Sequence, residues 1–145
     1  QLYIGGLFSG LHLTTLLKFL TNELADWNIY LELSWDEYQN DRVRRRSSEH
    51  WRENIVNASI DVVRILLASE KKSLPGTYRE VLRSFMSFHE FDKNTVERSC
   101  EFARLRNIIT HEYLDIRWEE IRNFVKNARP LFEYTIEYVK KNFSA

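Results

Sequence analysis

Apolar side chains recur three and four residues apart along most of this chain, and little interrupts them: glycine occurs 4 times and proline 2 times in 145 residues. With scarce β-branched alternation to start a strand, this pattern predicts helices almost throughout. The first helix is expected from about Leu13 to Tyr38, with Leu13, Leu17, Leu20, Leu24, Trp27, Leu31 and Trp35 on one face. Trp27 and Trp35 on that face read as core or dimer interface. The run Arg42, Arg44, Arg45, Arg46 then reads as a solvated connector, partly neutralised by Asp36, Glu37 and Asp41, though one copy from each of two subunits could flank an RNA path. It leads into Ser47-Ser48, either of which can cap a second helix from about Glu49 to Ser69. Trp51, Ile55, Ala58, Val62 and Leu66 mark its buried face, widened by Val56, Val63 and Leu67, so helices one and two are expected as antiparallel neighbours.

Leu74-Pro75-Gly76 is a turn signal, and Thr77-Tyr78-Arg79-Glu80 has capping-box spacing for a short helix to about Met86. After a loop around His89, a helix from near Asp92 carries Val96, Cys100, Ala103 and Asn107 on one stripe. A final helix restarts at Asp115 to Trp118 and continues through Ile121, Phe124, Val125, Leu131, Phe132 and Val139, with Pro130 inside it and expected to kink it. The predicted architecture is all-α, an up-down bundle of four to five helices. It forms one domain over residues 13–145, behind an uncertain N-terminal segment 1–12 that does not begin with Met.

The 21 basic residues balance the 21 acidic ones, so any phosphate binding has to be local rather than driven by a global field. Lone Cys100 excludes an intrachain disulfide and suits a reducing, cytoplasmic setting. The apolar stretch from Leu2 to Leu20 is interrupted by Gly5, Gly6, Ser9, Gly10, His12 and Lys18, which argues against a membrane span or signal peptide. His12, His50 and His89 read as solvated or packing side chains, and no pair of histidines has metal-ligand spacing.

The densest polar cluster is Arg104-Leu105-Arg106-Asn107-Ile108-Ile109-Thr110-His111-Glu112-Tyr113. At helical spacing Arg104, Asn107 and His111 share a side, whereas Arg106 lies about 140° from His111 and Tyr113 about 160° away on the other side. Either the helix unwinds after about Thr110, or a second copy of the chain completes the site across a symmetric dimer axis. Guanidinium plus imidazole, with no metal constellation, suits attack by a ribose 2′-hydroxyl on its own phosphodiester: His111 as general acid or base, arginine stabilising the transition state, Asn107 positioning. The alternative is structural, with Arg104 and Arg106 as cations at a helix C-terminus, His111 completing the last turn and Tyr113 packing on the bundle.

The segment Arg106 to Tyr113 resembles the R-x4-6-H motif of the HEPN superfamily, in the R-x4-H-x-Y form of HepT-like toxins. Thr77-Tyr78-Arg79-Glu80-Val81-Leu82 and Trp118-Glu119-Glu120-Ile121 also resemble segments of those proteins, and the likeness runs from about Leu13 to Phe143. It implies a HEPN-type bundle, dimeric, with Arg106 and His111 of both subunits lining a metal-independent ribonuclease cleft, and with Asn107 and Arg104 in support. It implies no cofactor and no membrane. It also implies an MNT-type nucleotidyltransferase antitoxin that neutralises the toxin by AMPylation of the motif tyrosine, here Tyr113. Some HEPN domains are instead non-catalytic modules that bind such a partner or its nucleotide, and the motif is compatible with both roles.

Overall fold

A computed structural model describes residues 2–3, 7–69, 80, 83 and 113–144, with side chains from residue 12 to residue 142. Among these residues the chain is all-α: α1 (Leu7–Ala25), α2 (Trp27–Leu31), α3 (Trp35–Asn40), α4 (Arg42–Ser69), α5 (Leu114–Asn127) and α6 (Arg129–Asn142). Of the expected helix from Thr77 to Met86, Glu80 and Arg83 are described and both are helical. The turn at Leu74-Pro75-Gly76 and the helix from Asp92 to the polar cluster lie outside the described residues. A two-residue parallel pairing, Leu2–Tyr3 (β1) with Phe143–Ser144 (β2), joins the two ends, although no strand was expected. The segment set aside as uncertain therefore contains β1 and the start of α1.

The expected helix from Leu13 to Tyr38 is three helices. The chain bends at Asp26, whose carbonyl accepts from the Ile29 amide at 3.0 Å in a tight, three-residue turn. This bend lets Trp27 enter the core at 1% exposure. There its indole donates to the Val125 carbonyl at 2.8 Å and its ring stacks on Phe124, centroids 5.3 Å apart. A second break precedes α3, where Ser34 and Glu37 form a capping box: the Ser34 hydroxyl accepts from the Glu37 amide and the Glu37 carboxylate accepts from the Ser34 amide, each at 3.1 Å. Leu31 and Trp35 consequently leave the core and are partly exposed, and Leu33 and Tyr38 are buried instead.

The second helix begins earlier than expected, so the arginine run is its first turn and not a connector. Asp41, not Ser47 or Ser48, is the cap, its carboxylate accepting from the Val43 and Arg44 amides at 3.1 Å each. Ser48 is buried inside the helix, its hydroxyl donating to the Arg45 carbonyl. The eight apolar positions anticipated for the core face of α4 are all buried, as is Ile60, so this 28-residue helix runs through the middle of the bundle. α1 packs along it, tied by the Trp51 indole donating to the Glu23 carbonyl at 2.8 Å. Each large apolar side chain buried here contributes roughly 1.5–3 kcal/mol of transfer free energy.

The C-terminal helix is interrupted at Ala128. Pro130 falls in the first turn of α6, where its missing amide hydrogen forfeits no helical bond, so it begins a helix instead of kinking one. Phe124, Val125, Phe132, Ile136 and Val139 from α5 and α6 complete the main core. A smaller core of Leu33, Tyr38 and Ile121, with Leu114 and Trp118 packed against it, joins α3 to the beginning of α5. That second core is what supports the candidate site.

Candidate functional site

Of the motif residues, Tyr113 is described; Arg104, Arg106, Asn107 and His111 lie outside the described residues. Tyr113 occupies the N-cap position of α5 with extended backbone (φ −64°, ψ 156°), and its side chain makes no cap hydrogen bond. Its carbonyl accepts the first helical bond, from the Arg117 amide at 3.0 Å. The adjoining Leu114 packs into the small core, so the backbone is anchored while the phenol is 81% exposed. An exposed hydroxyl on a fixed helix start can reach an enzyme or ligand without the bundle opening.

Beneath this helix start lies a polar network drawn from three helices. Arg117, four residues after Tyr113, grips Glu49 of α4 in a bidentate pair: its Nε donates to Oε2 at 3.0 Å and its Nη2 donates to Oε2 at 2.6 Å and to Oε1. The pair is largely shielded, with side-chain exposures of 23% for Arg117 and 11% for Glu49. Arg45 lashes α3 to α4 by donating to the Tyr38 and Gln39 carbonyls at 3.1 and 3.0 Å. Arg52 is fully buried on α4. Burial pushes its titration below the ordinary arginine range, opposed by the charge of Glu120 first, then Glu53 and Glu49.

Tyr38 is fully buried beside the network. Desolvation, then the negative charge of Glu49, holds its phenol well above its ordinary value of 10.0, so it remains protonated in the fold. The unfolded chain loses this proton first. Stability from Tyr38 is therefore complete below about pH 10 and declines as pH rises beyond it. Tyr38→Phe is expected to flatten the alkaline fall of the urea midpoint between about pH 10 and 11. A residual slope will remain because burial raises Tyr30 in the same direction; slopes identical to wild type would remove Tyr38 as the cause.

The arginine run is partly consumed by structure. Arg44 pairs with Glu37, and lies 3.5 Å from Asp41, two of the three acids expected to neutralise the run. The third, Asp36, instead accepts from the Asn40 side-chain Nδ2 at 2.9 Å. Trp35 is 38% exposed, packed against Tyr38 and Trp118, and the Arg122 guanidinium lies 5.4 Å from the Trp118 ring centroid. Sequence reasoning passed over Glu49, Arg52 and Arg117. A signal existed for Arg52, which sits three and four residues before Ile55 and Val56 and so shares their buried stripe.

Fold and site together define an all-helical bundle domain that presents a phenol at a helix start above a largely shielded polar network centred on the Glu49–Arg117 pair. The family model HepT-like, described as ribonuclease HepT-like, matches residues 20–139, a span that contains the whole Arg104-to-Tyr113 cluster, and the chain belongs to this family of the HEPN superfamily. Comparison with curated proteins gives no match. Family membership supports a nuclease-type function. Among the described residues no helix is long and apolar enough to cross a membrane.

Proposed function

We propose that this protein is a metal-independent endoribonuclease toxin of a HEPN/MNT toxin-antitoxin system, acting in the cytoplasm as a homodimer. The reading rests above all on the family match across residues 20–139, which brackets an intact R-x4-H-x-Y motif. In this reading Arg106 and His111 of both subunits line the cleft. His111 takes the proton of a ribose 2′-hydroxyl or gives one to the leaving 5′-oxygen; Arg106 stabilises charge on the phosphorane-like transition state; Asn107 and Arg104 hold the strand. The 2′-oxygen forms a bond to phosphorus as the 5′-oxygen bond breaks, leaving a 2′,3′-cyclic phosphate.

Neutralisation follows at Tyr113. Its phenol oxygen attacks the α-phosphorus of a nucleoside triphosphate held by the MNT-type nucleotidyltransferase, pyrophosphate departs and the phenol proton is released. The AMP adduct places bulk and negative charge two residues from His111, where it opposes binding of the RNA backbone. The exposure of Tyr113 on an anchored helix start supports its assignment as acceptor.

The test is to incubate purified, unmodified protein with several RNAs in EDTA and to analyse the product ends. Cleavage with 2′,3′-cyclic phosphate termini is the expected result. Intact RNA in the presence of folded, unmodified dimer overturns the nuclease reading in favour of a partner-binding module.

A further inference from the structure

The main core holds the middle of α5 through Phe124 and Val125, the smaller core holds it through Ile121, and the Trp27 indole seals its far end by donating to the Val125 carbonyl. The first turn is held differently. Tyr113, Asp115 and Ile116 there are exposed and Leu114 is partly buried. The first turn's polar tie to the rest of the bundle, among the described residues, is the Glu49–Arg117 pair. Arg117 is also the residue whose amide closes the first helical bond onto the Tyr113 carbonyl. One residue therefore connects α4 to the backbone of Tyr113 through its guanidinium on one side and its amide on the other.

Glu49 is itself well anchored. It lies on the turn of α4 between Arg45, which grips the last carbonyls of α3, and Arg52, which is buried in the bundle. A bidentate carboxylate–guanidinium pair fixes angle as well as distance, which a lysine or an apolar contact does not do.

We propose that Glu49 is a positioning residue for Tyr113: through the forked pair with Arg117 it keeps the first turn of α5 closed, so that the backbone carrying the phenol is held in one place for AMP transfer. The functional consequence rests on the assignment of Tyr113 as AMP acceptor. Loss of the clamp opens the first turn locally while the remainder of α5 stays docked, and the phenol oxygen then ranges over a wider volume, so that a near-attack arrangement is reached less often.

Two variants test this in the full chain. Glu49→Gln leaves Arg117 without its carboxylate, and the double variant Glu49→Leu/Arg117→Met removes both charges and replaces them with packing, so it folds even where the single variant does not. Amide hydrogen exchange at position 117, after allowance for the intrinsic rate of the residue there, is expected to accelerate about tenfold in the double variant, with Phe124 and Val125 unchanged. AMP transfer onto Tyr113 by the cognate MNT-type nucleotidyltransferase with ATP is expected to lose about tenfold in kcat with KM for ATP unchanged. Wild-type protection of the amide at position 117 in the double variant overturns the proposal, and so does faster exchange with an unchanged transfer rate. If the wild-type protein accepts no AMP, the acceptor assignment fails, and the exchange experiment by itself decides whether Glu49 holds the helix start.

Discussion

His111→Ala is expected to lower metal-free RNA cleavage by about a thousandfold while leaving helical content and dimer unchanged. A positioned general acid or base contributes roughly 10²–10⁴ in rate, and a 2′-hydroxyl far from its pKa near neutrality depends on such a group. Alanine removes the imidazole and leaves Arg106 to stabilise phosphate charge, so binding of RNA should persist while turnover collapses. The measurement is single-turnover cleavage of a labelled RNA in EDTA, paired with a binding isotherm for the same strand. Undiminished cleavage by the variant would show that another group moves the proton. Arg106→Ala should weaken both binding and turnover, and the double variant should be little worse than either alone, because residues acting as one unit lose their effect together.

Tyr113→Phe is expected to abolish addition of AMP altogether, since phenylalanine lacks the oxygen that attacks phosphorus. The structure makes this substitution a clean one: Tyr113 caps α5 through its backbone and not through its side chain, and the residue is 81% exposed. Unfolding free energy should therefore change by less than about 0.5 kcal/mol. Intact-mass analysis after reaction with the nucleotidyltransferase and ATP should find adduct on wild type and none on the variant. The phenylalanine protein should also keep cleaving RNA in the presence of the antitoxin. An adduct persisting on a different residue would reassign the acceptor.

How far the sequence foretold the fold differs element by element. The buried stripe of α4 was legible from Trp51 to Leu67 because three-and-four spacing is a local property of a helix. The Ser34–Glu37 capping box was also written locally, as S-x-x-E, but an apolar stripe at three-and-four spacing from Leu13 to Trp35 masked it. Pro130 was expected to kink one continuous helix, and it instead stands in the first turn of a separate one. Its position in a new first turn follows from the break at Ala128, itself fully buried between Phe124 and Phe132. The arginine run looked like a connector because four cations within five residues carry no apolar face. It became a helix start because Asp41 caps it and because Arg44 and Arg45 found acceptors on α3.

The candidate site divides in the same way. Its motif, Arg106 to Tyr113, is a contiguous string, and contiguity and residue chemistry can be read without a fold. Those features led to the HepT-like family, and so to a nuclease-type function. The support beneath Tyr113 could not be read so, because Glu49 and Arg117 are 68 residues apart and each alone resembles a surface charge. Only tertiary packing, by bringing α4 and α5 together around Tyr38 and Ile121, removed enough water to turn two ordinary ions into a clamp. Local periodicity and chemistry determined which helices form and what the motif can do; burial, which depends on residues distant in sequence, decided where the helices break and which charges hold the helix start in place.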